Sequence, residues 1–554
     1  MPHTRSYYLP ALLIIVLTIS FFRLGSLKLF DVDEAVFAQA TKEMVESGDW
    51  LTPTYNGANR YDKPILFYWL MALSYKTFGI NEWGARFPSA AAGALLCLCL
   101  FLFLRRETDE HRAFYAVISL VLSLYFVIYS HAAVTDMMLT LFITLSLFSF
   151  YRFCRSDGPE HGYEDGYEQH AAGQSRYYLY GFYIFSALAF LTKGLIGIVF
   201  PFGIAGMYLL ITGGITRTTR IFSTKGFVLF LVVAAPWYLA ELSANGWEFI
   251  DQFFIKHHFK RYTEVISGHK GPWYYYLLTL TIGLMPWITY IPAGIAGAWK
   301  QFRMIQRGKG PGNEVPKLYA DRSPELFALI WFSAVVVFFS LSTTKLPNYI
   351  LPSVPAAAIL IAFGMAGRSE KQVRYSKILI AAVSILLGVA TVAGPALGEQ
   401  YLVRLGIADF EWTQWAALIF FAGAALNLAG AFKKKNYHEY GAFLMLLLLL
   451  LLSFKALPLA NRHLQDTLYI FSQQAKERLG KDGSLVVYRI NKPSIVFYSG
   501  HKVISADQPE DVEQIMNVDK KVLIITTASD ANDLEKKGLT LIEKDKAYAL
   551  FEKK

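Results

Sequence analysis

The sequence predicts a polytopic α-helical membrane protein with a small C-terminal α/β domain, and three observations carry that expectation. Hydrophobic residues make up 54% of the 554 residues and charged residues only 17%, where an ordinary soluble chain carries about 25% charged. Thirteen apolar runs of near-spanning length divide residues 8–457. From residue 458 onward, short alternating strand and helix signals replace them. The net charge of +10 would suggest nucleic acid in a soluble chain, but here the excess basic residues fall in loops on one side of a bilayer, which excludes that partner.

A helix needs about 20 apolar residues to cross about 30 Å of hydrocarbon. The runs are 8–25, 86–104, 112–130, 133–151, 177–192, 194–213, 226–242, 274–299, 324–342, 349–366, 374–394, 412–432 and 438–457. The first is no cleavable signal, because Phe21, Phe22 and Arg23 follow its apolar core where small residues would precede a cut. With a cytoplasmic N-terminus, the clusters at Arg105 to Arg112, Arg217 to Lys225, Lys300 to Arg322, Arg368 to Lys377 and Lys433 to Lys435 all land inside. The C-terminus then lies outside.

The first outer loop, 25–85, carries two further helical stretches. Residues 34–47 place Val36, Phe37, Ala40 and Met44 on one apolar stripe, with Asp31 or Asp33 to cap the start and Gly48 to end it. In 64–78 the uncharged run from Pro64 to Tyr75 would reach only about 18 Å as a helix. Lys63 and Lys76 bracket it, so it is an interfacial or re-entrant helix rather than a span. Cys97, Cys99 and Cys154 have no metal or disulfide spacing and are packing residues. The acidic stretch 152–176, with His161 and His170, is a solvated loop.

These boundaries divide the chain into a membrane region, 1–457, and a C-terminal α/β domain, 458–554. Strand-like runs at 484–490, 502–506, 521–527, 539–545 and 547–553 alternate with helical 509–517 and 530–537. The domain shows no Gly-rich phosphate loop, cysteine pair or triad, which leaves it a structural or acceptor-docking role.

Basic residues are disfavoured in short outer loops, so those placed there ask for a reason. Lys63, Lys193, Arg261 and Lys345 all fall at outer ends of spans, and Pro or Gly closely follows three of them. One such residue alone would be a snorkelling side chain. Four together point to an anion at the membrane surface, of which a lipid phosphate is the obvious case. The same face holds the carboxylates Asp31, Asp33, Glu34, Asp62 and Asp136. A carboxylate beside bound phosphate can take a proton from an acceptor hydroxyl while the cations hold the leaving group, the two components of glycosyl transfer from a lipid-phosphate sugar.

The ordered strings DVDEAVFAQATKEMVESGDWLTPTYNGANRYDKPILFYWL, NEWGARFPSA, VTDMMLT, LTKGLIG, PWY at 236–238, FFIKHHFKRY, GPWYYYL and SLSTTKLPNYILPSVPA resemble the aminoarabinose transferase and protein O-mannosyltransferase superfamily. Its members are C-type membrane glycosyltransferases. The resemblance implies the GT-C fold with about thirteen spans, two juxtamembrane helices and a periplasmic C-terminal domain. It implies Asp33 as catalytic base with Glu34 in support. Lys63, Lys193, Arg261 and Lys345 would hold the donor phosphate, and Asp62, Asp136, His258 and Tyr349 would line the substrate pocket. The donor would be a sugar on a polyprenyl (undecaprenyl) phosphate, the acceptor lipid A or another envelope component, and the location the bacterial inner membrane. Transfer would proceed by single inverting displacement. No cofactor or metal is expected, because the lysines can neutralise the departing phosphate.

Three positions depart from the aminoarabinose transferase pattern. Val36 and Phe37 stand where an Arg-Tyr pair follows the acidic pair, Asp62 replaces a Glu, and His257 stands where Glu is common. The resemblance therefore leaves a related hexosyl or uronosyl donor open. Transfer to protein hydroxyls is an alternative on the same fold. A transporter or flippase is an alternative of another class, but it would place charges mid-span in an internal repeat that is not found.

Overall fold

The computed structural model describes residues 8–156, 167–213, 219–260, 271–307, 323–366, 370–404, 411–432, 438–480, 483–516 and 520–553. Among these, eight helices are long and apolar enough to cross a membrane, or up to ten if two bent pairs each count as one span. Every run expected to span contains helix, but those over 8–25 and 194–213 hold only the shorter apolar helices Tyr8–Phe21 and Ile196–Thr212, and two others are not straight. The run 112–130 divides into Glu110–Val121 and Leu124–Ser130, bent by 63°, where the Ser123 side chain accepts from Phe126 N and starts a new helix. The run 274–299 breaks by 110° between Tyr275–Gly283 and Trp287–Gln306, at Pro286, whose missing N–H cannot continue a helical ladder.

The helices that matter for the site are α1 (Tyr8–Phe21), α2 (Asp33–Ser47), α3 (Leu66–Phe78), α4 (Glu82–Glu107), α5 (Glu110–Val121), α6 (Leu124–Ser130), α7 (Asp136–Ser156), α8 (Tyr167–Lys193) and α9 (Ile196–Gly213). Helix α7 and the stretch Pro347–Met365 sit deep in the bundle, whereas Thr224–Lys256 and Val373–Pro395 lie at its periphery. A continuous apolar core joins the deep helices to α2 and α3 through Phe37, Phe67, Tyr68 and Met71.

Helices α2 and α3 occupy the two stretches expected in the first loop. Gly48 closes α2 in the left-handed region, its N–H donating to Met44 O. The start of α2 differs from expectation: Val32 is the N-cap, and no side chain caps it. Asp31 is unavailable for capping because Ser494, from the far end of the chain, donates to both of its carboxylate oxygens. Between α2 and α3 runs the hairpin β1 (Thr54–Tyr55) and β2 (Ala58–Asn59). Its two-residue turn is Asn56–Gly57, with φ of +56° and +77°, the positive angles that make Asn-Gly a favoured hairpin turn.

The C-terminal unit is a five-stranded sheet ordered β4-β3-β5-β7-β6. Its strands are β3 (Ser484–Tyr488), β4 (Val503–Ala506), β5 (Val522–Thr527), β6 (Thr540–Lys544) and β7 (Tyr548–Glu552), each falling on a strand-like run. Strand β3 pairs in parallel with β4 and β5, and β7 pairs antiparallel with β5 and β6. Alternate residues of the buried strands feed opposite faces, which gives one apolar cluster around Leu485, Leu523 and Leu550 and another around Val486, Ile524 and Phe551. The helix Pro493–Ser499 between β3 and β4 was not expected from the sequence.

Candidate active site

A cavity of about 420 Å³ opens where the first loop meets the ends of α7, α8 and α9. One wall is polar and comes from the first loop: Asp33, Arg60, Asp62 and Lys63. A second polar patch is built from Asp136, Lys193, Asn348 and Tyr349. The remainder is apolar, with Leu139, Ile196, Val199, Phe338, Phe339 and Leu346. Such a lining suits an amphiphile that carries a charged head and a hydrocarbon chain.

Helix ends place the second patch. Asp136 is the first residue of α7 and Lys193 the last of α8, so each charge complements its own helix dipole. Gly194 lets α8 stop there, with φ +78° and its N–H donating to Phe190 O. Lys193 Nζ then meets Asp136 Oδ1 at 2.5 Å, and Asn348 Nδ2 donates to Asp136 Oδ2 at 3.2 Å. The Lys193 ammonium also lies 5.6 Å from the centre of the Tyr349 ring.

In the first patch Arg60 Nη2 bonds Asp62 Oδ2 at 2.9 Å, and its Nε donates to Tyr68 OH at 3.1 Å. Its guanidinium lies over Phe37, 5.6 Å from the ring centre. Lys63 Nζ donates to Asp62 O at 2.9 Å. Asp33, at the first turn of α2, is exposed to the cavity and has no hydrogen-bond partner among the described residues. Asp62 and Asp136 are thus each held by a cation, whereas Asp33 has no hydrogen-bonded cation among the described residues.

The structure therefore gathers Asp33, Asp62, Lys63, Asp136, Lys193 and Tyr349 at one cavity. Glu34, expected to support Asp33 in the reaction, is not there. Successive helix residues point about 100° apart, and Glu34 turns into the protein, where it is 5% exposed. Its carboxylate accepts from Arg86 Nε at 2.7 Å, Arg86 Nη2 at 2.9 Å, Phe30 N at 2.9 Å and Ala133 N at 2.8 Å.

Lys345, expected at the donor phosphate, is also elsewhere. Its ammonium folds back on the end of helix Pro324–Leu341 and donates to Phe339 O at 3.3 Å, Ser340 O at 2.8 Å and Ser342 O at 2.8 Å. Unpaired C-terminal carbonyls attract a cation. Burial pushes this ammonium below the ordinary lysine value. Arg261 and the side chain of His258 lie outside the described residues. Arg60 and Asn348 were missed by the sequence reading, although Arg60 is another basic residue in the same short loop as Lys63 and should have been counted with it. Among the described residues no three His, Cys, Asp or Glu side chains gather to hold a metal.

Residues 62–163 match the family described as dolichyl-phosphate-mannose-protein mannosyltransferase. An uncharacterised protein of Aquifex aeolicus is 30% identical over 363 residues, covering 65% of this chain and 64% of its own length. An undecaprenyl phosphate-alpha-4-amino-4-deoxy-L-arabinose arabinosyl transferase of Pseudomonas fluorescens is 26% identical over 526 residues, covering 89% of this chain and 81% of its own length. Among solved structures, ArnT of Cupriavidus metallidurans bound to undecaprenyl phosphate shares the fold, with a TM-score of 0.79 at 21% identity over 100% of this chain and 99% of its own.

Proposed function

We propose, from the premise that this chain belongs to the aminoarabinose transferase and protein O-mannosyltransferase superfamily of C-type membrane glycosyltransferases, that it transfers one sugar from an undecaprenyl-phosphate carrier to lipid A or another envelope acceptor. The observation that carries this reading is the cavity itself: Asp33, with no hydrogen-bond partner among the described residues, shares a polar wall with Arg60 and Lys63, and much of the remaining lining is apolar. The isoprenoid would run along Val199, Phe338 and Leu346, and the phosphate would meet Lys63 and Arg60. Asp33 would remove the proton from the acceptor hydroxyl as that oxygen attacks the anomeric carbon. The bond from that carbon to the phosphate oxygen breaks, and the cations stabilise the charge that develops on the leaving phosphate. With no enzyme nucleophile, the displacement inverts the anomeric carbon.

Two basic side chains at the phosphate make a metal unnecessary in this scheme. The site would lie on the periplasmic side of the bacterial inner membrane, with the C-terminal unit above it and the N-terminus in the cytoplasm. The test is transfer of labelled sugar from undecaprenyl-phosphate donors in proteoliposomes, with lipid A and protein fractions analysed separately by mass spectrometry. Labelled lipid A supports the reading, labelled protein alone would move the acceptor to protein hydroxyls, and no transfer with any pentosyl, hexosyl or uronosyl donor would overturn it.

A further inference from the structure

The base and the cations of the polar wall stand on separate parts of the first loop. Asp33 stands on α2, whereas Arg60, Asp62 and Lys63 lie on irregular chain after the hairpin β1–β2. Each part is gripped just upstream by the C-terminal unit, through the stretch from the helix Pro493–Ser499 to the start of β4.

The first grip is on Asp31, two residues before Asp33. Ser494 N donates to Asp31 Oδ1 and Ser494 Oγ to Asp31 Oδ2, both at 2.8 Å. The second is on Asn56, four residues before Arg60. Its Nδ2 donates to Val503 O at 2.7 Å, and Val503 N donates to its Oδ1 at 2.9 Å. The amide thus imitates a neighbouring strand at the open edge of β4. Glu43 ties the same hairpin tip to α2, accepting from Asn56 N at 2.7 Å and Gly57 N at 3.1 Å. Ser494 lies in the first turn of the helix Pro493–Ser499 and Val503 opens β4 just after it, so both grips come from the same short stretch of the C-terminal unit.

A base and a phosphate site must keep their separation to a fraction of an ångström for transfer to be fast. We propose that the C-terminal unit is a two-point clasp that sets the separation between Asp33 and the Arg60–Lys63 cations, with Ser494 and Asn56 as positioning residues. This rests on the transferase reading above. It gives the C-terminal unit a task that needs no ligand of its own.

The test uses full-length protein in proteoliposomes with Ser494→Ala, Asn56→Gly and both together. Glycine keeps the left-handed turn at position 56 while removing the amide. The clasp predicts about a 10-fold loss of kcat for each single variant and more for the pair, with KM for donor changed less than about 2-fold. Ser494→Thr should restore the rate by returning the hydroxyl. Hydrogen exchange should quicken in residues 31–36 for the serine variant and in 54–63 for the asparagine variant. Unchanged exchange in both segments, or kcat within about 2-fold of wild type in the double variant, would overturn the clasp. If wild-type protein transfers no sugar, the transferase reading fails, and the exchange measurement still decides the clasp.

Discussion

Replacing Glu34 with Gln keeps the side chain's size and removes its charge, at a place where both matter. Four N–H groups point at the two carboxylate oxygens: Arg86 Nε and Ala133 N at one, Arg86 Nη2 and Phe30 N at the other. A glutamine offers one oxygen and one NH2, so whichever way it turns, two of the four donors face another donor. Arg86 is 3% exposed and Glu34 5%, and the guanidinium's remaining acceptors are the carbonyls of Leu24, Leu27 and Lys28. Losing one partner of a buried ion pair costs about 3–5 kcal/mol, because the remaining charge is left uncompensated. Glu34→Gln keeps two of its hydrogen bonds, so about 3 kcal/mol is expected. The assay is unfolding in detergent followed by tryptophan fluorescence, paired with turnover of the folded fraction well below its midpoint. The account predicts a large loss of stability with the pH profile of turnover unchanged. A variant as stable as wild type yet inactive would refute it and return Glu34 to the chemistry.

Lys63→Ala should lower kcat/KM by about 100- to 1000-fold, the loss expected when one preorganised donor to a developing charge is removed; steady-state kinetics with varied donor check it, and a change under about 3-fold would contradict it. Lys345→Met should leave the turnover of folded protein unchanged and lower stability by about 1–2 kcal/mol, because it strips a cation from three helix-end carbonyls. Excess chelator should leave transfer unaffected in the proteoliposome assay, and activity lost to chelator and restored by magnesium or manganese would contradict a reaction run by side chains alone.

Much of the architecture was legible because its determinants are local. Apolar runs located the long helices, and short strand-like runs between helical stretches located all five strands of the C-terminal sheet. The twelve uncharged residues between Lys63 and Lys76 were too few to span, and α3 has the length of an interfacial helix. The Asn-Gly pair at 56 and 57 was an equally local hairpin signal that went unread. Lys193 and Lys345 look alike as sequence, each an outer lysine next to a helix breaker. What separates them is non-local: Lys193 finds Asp136 across the bundle, while Lys345 finds the carbonyls of its own preceding helix. Asp33 and Glu34 could have been told apart, since adjacent helix residues cannot share a face. Which of the two would face inward depended on Arg86, fifty-two residues away. The link from Asp31 to Ser494 spans 463 residues, and no local pattern announces it.

The central claim is that Asp33 alone among the cavity carboxylates accepts the acceptor's proton, and Asp33→Asn tests it most directly. The substitution preserves shape, and no described hydrogen bond depends on the charge, so the protein should fold and melt as wild type does. Single-turnover transfer from undecaprenyl-phosphate donor should fall by about 100-fold or more while donor binding is retained. An Asp33→Asn enzyme that transfers sugar at the wild-type rate would contradict the account.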